Sequence, residues 1–157
     1  MKANNFLKSV VILRGVPGSG KSSFVNLLRL CHDDVVIHEI DDLHRDDHGK
    51  FLWDEKNAER LYALNFAKFV ISCSESRKLI IFDAINIETK NFQCYVDIAE
   101  KYDYKVYVVC PSPPTPEESS KNNTHHTSAL QARDMYRRWE SWPSKEMIKE
   151  ITNGKNN

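Results

Sequence analysis

Residues 15–23 read Gly-Val-Pro-Gly-Ser-Gly-Lys-Ser-Ser, which fits the spacing G-x-x-x-x-G-K-[ST]. Placed between a strand and a helix, such a stretch curls so that successive backbone N–H groups point at one anion, and the helix N-terminus adds partial positive charge. Gly15, Pro17, Gly18, Ser19, Gly20, Lys21, Ser22 and Ser23 are therefore the candidate cradle for the phosphates of a nucleoside triphosphate. In that role Lys21 reaches the β- and γ-phosphates, and the Ser22 hydroxyl ligates Mg²⁺.

Two carboxylates stand where a triphosphate site would use them. Asp83 closes the apolar run Leu-Ile-Ile-Phe, a position from which it can hold a magnesium-bound water beside the cradle. Asn86, three residues on, suits the start of the following helix. Asp41 is the first carboxylate beyond a second apolar run, in Glu-Ile-Asp-Asp-Leu-His-Arg-Asp-Asp-His-Gly-Lys. Phosphoryl transfer to a hydroxyl needs a carboxylate there to orient the acceptor and take its proton, so Asp41 is the candidate base. Asp42 should point away and cap the turn, and Asp46 and Asp47 read as a solvated acidic loop. His44 and His48 lack an evident third metal ligand and read as surface histidines.

The elements that position these residues alternate. The β-branched runs 9–14, 35–40, 79–83 and 104–110 read as buried parallel strands. Helices are expected from Lys21 onward with Phe24, Leu27, Leu28 and Cys31 on one face, and over 54–75 with Leu61, Leu64, Phe66, Ala67, Phe69, Val70 and Cys73 apolar. Further helices are expected over 88–102 and 128–140. Residues 117–127 are polar without apolar periodicity and read as a mobile segment, within a short lid over 111–127; the tail 152–157 should fray. This is an α/β pattern: a P-loop NTPase fold with a parallel sheet of four to five strands and helices on both faces, as one domain over 1–157. Ligands in such sheets bind at the carboxyl ends of the strands, which gathers 15–22, 41–45, 83–86 and 111–127 on one edge.

Composition narrows the partners. The chain has 157 residues, with 22 basic and 22 acidic side chains, so no global field draws it to nucleic acid or an anionic membrane. Neither a membrane span nor a signal-peptide core is evident. Cys31, Cys73, Cys94 and Cys110 form no CxxC pair and read as reduced thiols of a cytoplasmic protein, three of them in apolar segments as small buried hydrophobes. Trp53, Trp139 and Trp142 read as core or hinge packing.

The segments RGVPGSGKSS, EIDDLHRDD, LIIFDAIN, AEKYDYKVYVV, NTHH and MYRRWE follow one another in an order that resembles the polynucleotide 5′-hydroxyl kinase family. That family includes the kinase-like domains related to phage polynucleotide kinase and to 2′,3′-cyclic nucleotide phosphodiesterase, and the similarity covers about residues 8–142. The resemblance implies ATP and Mg²⁺ as cofactors and the 5′ end of a nucleic acid as acceptor. Asp41 matches the family's proposed base. Asp83 and Asn86 match its D-[NT]-T-N motif, with Ala84 and Ile85 between them. Of the lid motif R-N-x-H, Asn123 and His125 match, but Asn122 stands where the family has arginine. Lys121, Arg133 and Arg137 are the candidates to supply that charge; Arg133 and Arg137 share a helix face, whereas Arg138 pairs with Asp134.

The leading expectation is an ATP-dependent kinase acting on a polynucleotide 5′-hydroxyl. A small-molecule kinase is the second, since the architecture hosts many acceptors. A nucleotide-binding module without transfer is the third, on the lid and DAIN departures. A GTPase switch lacks a guanine-reading motif here.

Overall fold

The computed structural model describes residues 8–50, 54–111, 115–122 and 127–140. Trp53, Asn123, His125, Trp142 and the tail 152–157 lie outside them. Four strands form the sheet: β1 (Ser9–Leu13), β2 (Val35–Glu39), β3 (Leu79–Asp83) and β4 (Lys105–Val109). All neighbours are parallel, in the order β2-β3-β1-β4. Parallel pairing follows from the crossover helices, because a βαβ unit returns the chain to the same end of the sheet. These are α1 (Lys21–Cys31), α2 (Glu55–Ser74) and α3 (Gln93–Lys101), followed by α4 (Pro116–Asn122) and α5 (Ala129–Glu140).

Strand alternation divides the core into two layers. Val10, Ile12, Ile80 and Phe82 face one side with Phe69 and Cys73 of α2 and Tyr95, Val96 and Ala99 of α3. Val11, Leu13, Leu79 and Ile81 face the other, against Phe24, Val25 and Leu28 of α1. The Phe82 ring is fully buried and stacks on Tyr95 at 3.7 Å between centroids. Truncating it to alanine would cost about 3–5 kcal/mol.

Registers bring the strand ends level. Leu13 pairs with Asp83 and with Val109, and Glu39 pairs with Asp83. The loops after all four strands therefore leave from one edge.

Helix α2 departs from its expected face. Leu64 is 41% exposed, whereas Asn65 and Ser72 are buried beside Phe69 and Cys73. Their polar groups are satisfied, which is what makes burial tolerable: Asn65 accepts from the Tyr95 hydroxyl at 3.1 Å, and Ser72 meets His38 Nε2 at 3.0 Å. On α1, Leu27 is 56% exposed and Cys31 is exposed. Of the four free thiols only Cys73 is fully buried; Cys94 is exposed and Cys110 intermediate.

Residues 116–122 are helical, not the irregular segment their polarity suggests. The Thr115 hydroxyl accepts from Glu118 N at 3.2 Å, and the Glu118 carboxylate accepts from Thr115 N at 2.8 Å. This reciprocal box satisfies two otherwise orphaned donors, and Pro116 at the first helical position lacks one. The same device starts α5, where Ser128 and Gln131 exchange equivalent bonds of 3.2 and 2.9 Å. Helices α4 and α5 pack against each other.

Candidate functional site

The glycine loop leaves β1 at Gly15, whose N–H donates to the Ile85 carbonyl at 3.0 Å. A side chain at position 15 would collide with Ser19 Oγ and Cβ, so the loop closes only on glycine there. Gly18, at φ 81°, meets a second constraint: a Cβ would stand 3.3 Å from the Ser119 backbone. The loop ends at Gly20, and the first helical bond runs from Phe24 N to the Gly20 carbonyl at 3.0 Å. The N–H groups of Lys21, Ser22 and Ser23 precede that bond and have no carbonyl behind them in the helix.

Lys21 Nζ donates to the Gly15 carbonyl at 2.7 Å and lies 3.5 Å from that of Val16. Burial lowers its pKa from the ordinary lysine value, while Asp83, Asp41, Cys110 and Glu39 act in the opposite direction. The ammonium thus sits inside the loop, within electrostatic reach of three carboxylates at the ends of β2 and β3. Ser19 is 2% exposed, and its Oγ finds no hydrogen-bond partner among the described residues. An orphaned hydroxyl, three leading amides and a buried lysine suit a bound phosphate chain, so the residues fit a nucleoside triphosphate.

Asp83 is 6% exposed at the end of β3. Glu39, its partner in register, is a carboxylate that the sequence reading passed over. Burial, followed by the charges of Asp42, Asp83 and Asp41, pushes it up to about 7, with Arg45 opposing. Asp41 begins a 3-10 turn, Asp41–His44, at the end of β2. Asp42 turns outward and pairs with Arg45 at 3.4 Å, and His48 is exposed, but His44 is 3% exposed rather than on the surface. Among the described residues no three His, Cys, Asp or Glu side chains converge on one metal position. A magnesium ion at this edge would take Ser22 and Asp83 as its protein contacts and complete its shell with phosphate oxygens and water.

The loop after β3 is stapled to the cradle. Asn86 adopts φ 48°, is 3% exposed, and donates through Nδ2 to the Leu13 carbonyl at 2.8 Å. It fixes the loop rather than opening a helix. Arg14, read only as the end of a strand, reaches back with Nε to the Asn86 carbonyl at 2.9 Å and with Nη2 to that of Ile87 at 3.1 Å. Its guanidinium also lies 4.1 Å from the Trp139 ring, and burial lowers its pKa to about 10. A strand-end arginine gives no sequence signal for this; the fold alone brings its partners together.

Helices α4 and α5 close over the loop from the other side. Ser119, fully buried, donates to the Pro17 carbonyl at 2.6 Å. Arg133 pairs with Glu117 at 2.6 Å across the two helices and is exposed; Arg137 is exposed as well. Arg138 pairs with Asp134 at 3.2 Å, as its spacing suggests, and with Glu88 at 3.5 Å. Gly15, Val16, Cys110, Tyr136 and Trp139 line a narrow crevice behind the loop.

A parallel sheet of this order, with a lysine-bearing glycine loop after β1 and carboxylates closing β2 and β3, defines a P-loop kinase-like fold. A family model described as an AAA domain matches residues 10–133, most of the chain, and the chain belongs to that family. It is 27% identical over 144 residues to human NEDD4-binding protein 2, covering 88% of this chain and 8% of that protein. The likeness to rat YLP motif-containing protein 1 is 27% over 165 residues, covering 90% and 12%. The chain thus spans about a tenth of the length of these curated relatives. Among solved structures, a chain of the Pnkp1/Rnl/Hen1 RNA repair complex superposes with a TM-score of 0.70 at 20% identity, over 89% of this chain and 46% of that one. A gluconokinase from Sinorhizobium meliloti 1021 gives 0.53 at 16%, over 95% and 91%. Both neighbours share this fold, and no described helix is long and apolar enough to cross a membrane.

Proposed function

We propose that this domain is an ATP- and Mg²⁺-dependent phosphotransferase whose acceptor is the 5′-hydroxyl of a polynucleotide, working in a reducing, cytoplasmic compartment. The observation that carries the reading is the placement of Asp41 at the sheet edge that also bears Lys21 and Asp83. Asp41 lies just beyond β2, within electrostatic reach of the lysine that the glycine loop encloses. A hydrolytic switch needs no such carboxylate on the acceptor side, whereas a kinase does. The superposition on a chain of an RNA repair complex supports the choice of acceptor.

Bound ATP and Mg²⁺ would supply the phosphoryl group and neutralise charge on it. This chain's part is positional and electrostatic. Lys21 would exchange the Gly15 carbonyl for phosphate oxygens, and the amides of Lys21, Ser22 and Ser23 would hold the chain of phosphates. Ser22 and Asp83 hold the metal. Asp41 orients the acceptor hydroxyl and takes its proton. Lys121, Arg133 and Arg137 are the candidate cations for the charge that Asn122 does not supply, and Arg133 must leave Glu117 to act.

The test is transfer of labelled γ-phosphate to a 5′-hydroxyl oligonucleotide by the unaltered domain and by Asp41→Asn. Transfer that Asp41→Asn abolishes supports the reading. Balanced net charge is the observation that favours a small-molecule acceptor instead. Label appearing on a nucleoside or sugar but not on the oligonucleotide would establish that second reading.

A further inference from the structure

Helix α2 carries one aromatic ring that the core does not use. Tyr62 lies one helical turn before Phe66 and Asn65, both of which engage Tyr95: Phe66 edge-on at 5.1 Å between centroids, Asn65 by its 3.1 Å hydrogen bond. Residues three and four apart on a helix share a face, so Tyr62 projects from the face that covers the sheet. Yet it is 45% exposed, whereas Asn65 is 2% exposed. The sheet has ended beneath it.

The level at which it projects can be worked out. His38 of β2 meets Phe69 at 5.7 Å between ring centroids and Ser72 at 3.0 Å, so this stretch of α2 lies over His38. Helix α2 runs antiparallel to β2, as a crossover between parallel strands must. Tyr62 is seven residues before Phe69, about 10 Å at the helical rise. Asp41 follows the end of β2 at the head of the Asp41–His44 turn. That turn is in contact with α2, so Tyr62 and Asp41 lie at the same end of the sheet. Burial raises the Tyr62 phenol above its ordinary pKa and the Asp41 charge adds to the rise, in keeping with that proximity.

We infer that Tyr62 is the stacking platform for the nucleobase attached to the acceptor hydroxyl, forming with Asp41 an acceptor subsite that takes a 5′-terminal nucleoside. The inference rests on the reading of Asp41 as the acceptor-side carboxylate. A half-exposed aromatic ring beside the group that handles the hydroxyl suits a planar ring one ribose away. Stacking accepts any base, so such a subsite reads the end of a strand without reading its sequence.

The experiment is equilibrium binding of a short fluorescent 5′-hydroxyl oligonucleotide, followed by anisotropy with a non-hydrolysable ATP analogue and Mg²⁺ present. The proteins are the unaltered domain, Tyr62→Leu and Tyr62→Phe; the ligands carry either a base or an abasic residue at the 5′ terminus. Leu should weaken binding roughly 5- to 100-fold and Phe should largely restore it. The abasic ligand should bind the unaltered domain as weakly as the intact ligand binds Tyr62→Leu. Thermal melting checks that Leu folds, and the abasic comparison needs no variant at all. Competition by a free nucleoside at similar strength would still support the base subsite while naming the nucleoside as its source. Equal affinity of intact and abasic ends, or no oligonucleotide binding, would overturn the inference. Because binding is read apart from transfer, base-dependent binding without label transfer would overturn the kinase reading while leaving Tyr62 as a base-stacking site.

Discussion

Ser119 and Pro17, 102 residues apart in sequence, share a 2.6 Å hydrogen bond at the tip of the phosphate loop. The contact seats α4 on the turn that must wrap the phosphates, and it stands beside the 3.3 Å approach that Gly18 permits. Helix α4 and the cradle are thus one packed unit.

Ser119→Ala should uncouple them. It leaves the buried Pro17 carbonyl without its donor, a loss of about 1–3 kcal/mol. The expected result is a KM for ATP raised roughly 5- to 10-fold, with a fall in melting temperature of a few degrees. Steady-state kinetics beside a thermal melt separate the two effects. An unchanged KM would mean that α4 does not support the loop.

Asn86→Ala removes the bond to the Leu13 carbonyl and puts alanine at φ 48°. Stability should fall by about 2–3 kcal/mol, the sum of an unsatisfied buried acceptor and a left-handed backbone. Asn86→Gly should recover about 1 kcal/mol of this, because glycine tolerates the dihedral but cannot replace the donor. Urea midpoints of the three proteins test the ordering.

Acid should weaken the fold through His38. Burial, aided by Lys68, lowers its pKa from 6.5 to about 4. Between those values the unfolded chain binds a proton that the folded chain refuses. The contribution is therefore complete above pH 6.5 and is lost as pH falls toward 4, by up to about 3 kcal/mol. Glu39 works the other way. Its pKa is raised from 4.5 to about 7, so the folded state takes the extra proton and gains stability as pH falls from 7 to 4.5. Denaturant unfolding of Glu39→Gln across pH 4–8 should expose the His38 slope more steeply than the unaltered domain does. Parallel slopes would mean that the two groups are not opposed.

The strands and the glycine loop were legible because their signals are local: β-branched runs of about five residues, then a spaced glycine motif. The positions of Asp83, which ends one run, and Asp41, just beyond another, were legible for the same reason, whereas Glu39 at the end of β2 was not. What escaped depended on long-range partners. Asn65 and Ser72 are polar and were left out of the core face of α2, although Tyr95 and His38 satisfy them there. Residues 116–122 carry no apolar stripe, because the one buried side chain of α4 is Ser119. The signal was present in Thr115, Pro116 and Glu118, which form a helix-starting box. Arg14 could not be read, since its partners Asn86, Ile87 and Trp139 come from two distant segments. Arg133 was read as a candidate to supply the missing charge of the lid motif; its tie to Glu117 was not legible, because that needed α4 to exist.

The central claim is that Lys21 and Asp41 serve one transfer reaction. The most direct measurement is incorporation of label from γ-labelled ATP and Mg²⁺ into a 5′-hydroxyl oligonucleotide, with the same strand bearing a 5′-phosphate as the blocked control. The account predicts label on the free 5′-hydroxyl alone, removable as a terminal phosphate, with at least a 100-fold loss in both Lys21→Ala and Asp41→Asn (about 2.7 kcal/mol). Label that Asp41→Asn leaves intact, or none on the 5′-hydroxyl strand while the domain still binds ATP, would contradict it.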